Sequence, residues 1–140
     1  MPTRAFLDSN VFIFGVERPT SNSRRILDHL AAARIEGAVT DRVVREVMGY
    51  FRRHYGKDLA AQLRNFILLT CELVLESDVE VPRELTDLVG AKDAGAVAAT
   101  RVLGLAALVS TDSDLTPVPE HRTPKAFLEQ IGERTAPGPE

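Results

Sequence analysis

The chain has 140 residues, enough for one domain that buries roughly two-thirds of its unfolded surface. With 44% apolar and 26% charged residues it reads as an ordinary globular protein, and a net charge of -3 excludes a wholesale basic wrapper for nucleic acid while leaving local basic patches open. No apolar run nears the ~20 residues that span a bilayer, and Asp8 breaks the N-terminal apolar stretch too early for a signal peptide, so a cytoplasmic protein is expected.

Ala5-Phe6-Leu7 reads as a short buried strand ending at Asp8, and Val11 to Phe14 continues as a turn or short helical segment. Ser21-Asn22-Ser23 is a helix cap before Arg24 to Glu36, with Gly37 as the stop. Ala38-Val39-Thr40 is a second strand, and Asp41 opens a helix to about Tyr55, ended by Gly56. Lys57 to Leu69 is another helix, and Cys71 beyond it reads as a small core residue in a chain with no partner for a disulfide. Leu73 to Leu75 is a strand, Pro82 starts a helix to about Val89, and Asp93 to Gly104 is a helix of small residues. Ala106 to Ser110 is a strand, His121 to Thr123 a last short one, and Pro124 to Ile131 a final helix. A single domain over 1–134 is expected, followed by a disordered end over 135–140.

Strands alternating with helices predict an α/β fold: a parallel central sheet between two helical layers. Ligands of such folds bind beyond the carboxyl ends of the strands, where the strand order reverses. Asp8 and Asp112 both follow predicted strands, the helix carrying Glu46 begins where the second strand ends, and Asp93 opens a helix whose alanines and glycine allow close approach to the sheet. Taken singly, Asp8 is an ordinary turn cap, Asp93 an ordinary helix cap, and Asp112 or Asp114 an ordinary loop residue. Four acids facing one edge exceed what capping requires, and carboxylates gathered out of water need a cation. At 3.6 residues per turn, Val43, Val47, Tyr50 and Phe51 form the buried face of their helix, and Glu46 lies at its border, within inward reach.

The order and spacing of these acids resemble the PIN-domain nucleases, the fold of VapC-type toxins and related ribonucleases. Asp8 in Leu-Asp-Ser-Asn corresponds to the first family aspartate, Glu46 to the helical glutamate, Asp93 in Lys-Asp-Ala-Gly to the third acid and Asp112 in Ser-Thr-Asp-Ser-Asp to the fourth. Asp114 matches an additional acid, Thr111 the hydroxyl before the fourth acid, and Asn10 also fits. The similarity spans about 4–131; Leu115 departs from the common Phe, a packing change rather than a lost ligand.

The resemblance implies a Mg²⁺- or Mn²⁺-dependent endoribonuclease, because these hard ions take oxygen ligands and activate water against phosphodiesters. It implies Asp8, Glu46, Asp93 and Asp112 as catalytic residues. Asp8, Asp93, Asp112 and Asp114 would hold the metal, with Asn10 and Thr111 supporting them from behind. Arg42, Arg45 and Arg53 are candidate contacts to RNA phosphates. His29, His54 and His121 share no motif spacing and read as surface or packing residues. RNA, an antitoxin and a second copy in a homodimer are the expected partners. A stand-alone processing nuclease and a catalytically idle PIN module are the alternatives.

Overall fold

The computed structural model describes residues 1–138 and 140. Strand β1 (Thr3–Leu7) leads into α1 (Ser9–Glu17) and α2 (Asn22–Ala31), followed by β2 (Ile35–Thr40). Helices α3 (Asp41–Tyr55) and α4 (Lys57–Thr70) precede β3 (Cys71–Val74). Helices α5 (Arg83–Val89) and α6 (Ala91–Val102), strand β4 (Ala107–Val109), strand β5 (His121–Arg122) and helix α7 (Pro124–Gln130) complete the chain. All pairings are parallel and the sheet order is β3-β2-β1-β4-β5, giving the expected three-layer α/β/α architecture. The order reverses between β1 and β4, so the crevice such sheets offer to ligands opens beyond Leu7 and Val109, which pair in register.

Local chemistry explains most boundaries. Asp8 caps α1, Ser21 caps α2, Thr40 caps α3 and Thr123 caps α7, each accepting a hydrogen bond from a backbone N–H just inside its helix. Gly56 and Gly90, at φ of +99° and +88°, separate consecutive helices with a conformation that side-chain-bearing residues rarely adopt. Phe6, Phe12, Phe51 and Phe127 are fully buried among Leu7, Ile26, Ile67 and Leu108, which fixes helices from both faces onto the sheet. Close approach matters at Gly37 in β2, where an added Cβ would lie 2.6 Å from Cys71 Sγ. Burial pushes that thiol up to about 11, so Cys71 is a packing group and not a reactive thiolate. Among the described residues, no helix is long and apolar enough to cross a membrane.

Three expectations change. Residues 11–14 belong to a full nine-residue helix, because Asp8 starts it and Arg18 closes it by donating its N–H to Phe14. The helix expected to reach Glu36 ends at Ala31: Ala33 takes a left-handed φ of 58°, and Ile35 and Glu36 pair with Thr3 and Arg4 instead. Non-local pairing with β1 outweighs the helical preference of the alanine run. The end expected to be disordered is docked where it is described. Ala136 is buried, its N–H and carbonyl are held by the Asn22 amide, and the Glu140 carboxylate accepts from the N–H groups of Asn22 and Ser23 and the Ser23 hydroxyl. A carboxylate at the start of α2 complements the helix dipole, which composition does not reveal. Pro139 lies outside the described residues.

Candidate active site

Asp8 stands at the crevice itself. It is 9% exposed, its Oδ1 accepts from the Ser9 N–H at 2.8 Å, and its Oδ2 accepts from the Ser110 hydroxyl at 2.8 Å and the Asn10 amide at 3.4 Å. Ser110 is fully buried directly after β4, opposite Asp8 by the Leu7–Val109 register. Its oxygen also accepts from the Asn10 amide at 3.0 Å and from the Asp112 N–H at 3.0 Å. Asn10 Oδ1 completes the knot by accepting the Thr111 N–H at 3.1 Å. One serine and one asparagine thus lock the loop bearing Asp112 onto the start of α1.

The predicted acids fall as follows. Asp93 lies in the first turn of α6, 8% exposed, because Ala94, Gly95, Val97 and Ala98 keep that helix close to the sheet. Its carboxyl is pushed up to about 6, first by burial, then by the charges of Asp8 and Asp112, with Lys92 opposing and Glu46 adding. Glu46, on α3, is raised above the ordinary carboxylate range, again first by burial. The Lys92 ammonium opposes this, and Asp8 reinforces it. Asp112 points its Oδ1 at the Asp114 N–H, 2.9 Å away. Asp114 itself is exposed and reaches the group through that backbone bond.

Four separate elements therefore bring Asp8, Glu46, Asp93 and Asp112 into one electrostatic unit. Thr111 joins it through its backbone N–H, while the hydroxyl supporting the carboxylates belongs to Ser110, one residue earlier. The signal for Ser110 was present: it terminates the β4 run as Asp8 terminates the β1 run, and parallel neighbours place such residues side by side. Arg42, expected at the RNA, makes two bonds to Glu76 at 2.8 and 3.0 Å, and Arg45 pairs with Asp41 at 2.9 Å. Arg53 is exposed near the end of α3. Glu76 was not foreseen, since the turn that carries it reaches Arg42 only through the fold. Of the histidines, His121 sends Nε2 to the Ser110 carbonyl at 2.9 Å, His54 packs at a tilt against the Tyr50 ring, and His29 is buried beside Glu133.

The donor set consists of carboxylate oxygens with amide and hydroxyl supports, the chemistry that Mg²⁺ and Mn²⁺ prefer. Among the described residues, no three acidic, histidine or cysteine side chains are gathered so that together they could hold a metal ion. An ion that keeps several waters and takes further oxygens from a substrate would ask fewer ligands of the protein. Cavities of about 340 and 490 Å³ occur elsewhere, between α1, α2 and α4 and beside the docked tail, and none of the four acids lines either.

No family model matches the chain, and no curated protein matches it. Solved structures do. A toxin-antitoxin complex from Klebsiella pneumoniae is 18% identical with a TM-score of 0.59, over 86% of this chain and 97% of its own. VapBC2 from Rickettsia felis, solved bound to a DNA fragment from its promoter, is 12% identical with a TM-score of 0.63, over 86% and 98%. VapC20 from Mycobacterium tuberculosis, described as a toxin that cleaves the sarcin-ricin loop, is 16% identical with a TM-score of 0.57, over 83% and 95%. The chain shares its fold with these toxin-antitoxin proteins, a PIN-like three-layer α/β/α domain.

Proposed function

We propose that this chain is a Mg²⁺- or Mn²⁺-dependent endoribonuclease and the toxin partner of an antitoxin protein. The observation that carries the reading is Asp93, a buried carboxyl lifted to about 6 by burial and by acids from three other elements. A helix cap needs no such company, whereas strongly perturbed acids in a cleft are what metal-assisted hydrolysis uses.

Asp8, Asp93 and Asp112 would hold the ion, with Asp114 at its exposed side. When bound, the ion supplies a polarised water and stabilises charge on the phosphodiester oxygens. Ser110 and Asn10 fix the orientation of Asp8, so that this carboxylate does not swing as substrate charge arrives. Glu46, already lifted by its surroundings, is suited to orient a water and take up its proton. The fold likeness to toxin-antitoxin complexes supports an antitoxin partner, and pairing of two copies belongs to the same proposal.

Incubation with a mixed RNA pool, in Mn²⁺ and in EDTA, tests the chemistry. Cleavage is expected with Mn²⁺ alone and is expected to be lost in Asp8→Asn and in Asp112→Asn. Full activity in either variant removes that residue from the site. Coexpression with a candidate antitoxin decides between toxin and processing nuclease: rescue of growth supports the toxin, and unaffected growth on expression of the nuclease alone excludes it.

A further inference from the structure

We propose that Lys92 is a substrate-binding residue: its ammonium rests on Glu46 in the free protein and takes up a non-bridging phosphate oxygen when RNA enters. This rests on the ribonuclease reading above. Lys92 Nζ stands 3.7 Å from Glu46 Oε2, beyond hydrogen-bonding distance, and its side chain is 68% exposed. The contact is loose enough to be exchanged.

The nearby cations are differently committed. Arg42 is held by two bonds to Glu76, and Arg45 is bonded to the carboxylate of Asp41 on its own helix. A polyanion approaching four carboxylates needs a positive group at the rim, and Lys92 occupies that place. It precedes Asp93 in the first turn of α6, so about 100° of helix rotation separates an exposed ammonium from a buried acid. The helix starts at Gly90 without a side-chain cap, and its partial positive charge lies at the same end. A lysine on a flexible stem suits a contact that must first pair with a carboxylate and then with a phosphate.

The test compares wild type, Lys92→Gln and Lys92→Arg on a fluorogenic single-stranded RNA across a KCl series, with Mn²⁺ present. Lys92→Gln is expected to raise KM by about tenfold, the loss of one charged contact, with little change in kcat. The slope of log(kcat/KM) against log salt should become shallower by about 0.7, the increment for one phosphate contact on a single strand. Lys92→Arg should keep the wild-type slope. The Mn²⁺-induced rise in melting temperature should be no smaller in Lys92→Gln, since removing a cation does not weaken an acidic metal site. Unchanged KM and slope in Lys92→Gln would overturn the assignment. A collapse of the Mn²⁺ response would overturn it too, because Lys92 would then act by supporting the metal site and not by meeting a phosphate. Absence of cleavage by wild type would remove the ribonuclease reading, and this proposal with it.

Discussion

Asp93 makes the strongest quantitative test. Its carboxyl ordinarily titrates at 3.8 and here near 6, so between those values the native state binds more protons than the unfolded chain. Stability therefore falls as pH rises through this window, and the loss is complete above it. At about 1.4 kcal/mol per pH unit, the ionised group costs the ion-free protein about 3 kcal/mol. Asp93→Asn removes that charge, so the variant should melt higher than wild type by about 10 °C at pH 8 in EDTA. At pH 4 the wild-type group is itself neutral and the two chains should converge. Asp41, Glu17 and Glu120 have carboxyls held below their ordinary range, so both chains lose stability in acid, and the difference between them is the quantity to follow. Thermal melts by circular dichroism from pH 4 to 8 suffice. A difference that stays flat with pH, or a wild type that melts higher at pH 8, refutes the claim that Asp93 is an unneutralised buried charge. Mn²⁺ at 100 times its dissociation constant should return about 2.7 kcal/mol to wild type and much less to the variant.

Two further outcomes follow from particular contacts. Ser110→Ala strips a partner from Asp8, Asn10 and the Asp112 N–H, and should cost about 1–3 kcal/mol in chemical denaturation. On the proposed function it should also lower kcat for RNA cleavage by roughly 10–100-fold, the loss expected when a carboxylate that holds a metal is left unsupported. Gly37→Ala would place a methyl 2.6 Å from Cys71 Sγ and 3.1 Å from Leu30, and should cost about 1–3 kcal/mol by overpacking. Adding Cys71→Ala should recover part of that loss, and an additive double mutant would show that the two sites do not touch.

The parallel sheet and the four acids were legible because each acid sits at a punctuation mark: Asp8 and Asp112 after apolar runs, Asp93 opening a helix of small residues, Glu46 at the border of a buried stripe. Local pattern and global fold agree at those positions, as they do in most of a well-specified sequence. What escaped was non-local. The resemblance points to the Thr111 hydroxyl, whereas the Leu7–Val109 register puts the Ser110 hydroxyl opposite Asp8. The turn at Glu76 reaches Arg42 from 34 residues away, and the pairing of Ile35 with Thr3 overrides a helical run. The tail composition signalled disorder, yet Asn22 offers both a donor and an acceptor that a peptide segment satisfies. Each miss is a partner more than 30 residues distant in sequence, or a consequence of one.

The Ser110–Asp8 hydrogen bond joins positions separated by 102 residues. Closing so long a loop is entropically demanding, and contacts of this kind slow the folding of parallel sheets. Asp8 and Glu46 leave the ribosome long before Ser110 and Asp112, so a chain that stops short of β4 cannot hold the complete acid set. Such a product would lack the β1–β4 seam and with it the Ser110–Asp8 contact. On the ribonuclease reading proposed above, that ordering would be a safeguard, because the acid centre would assemble only when β4 docks beside β1.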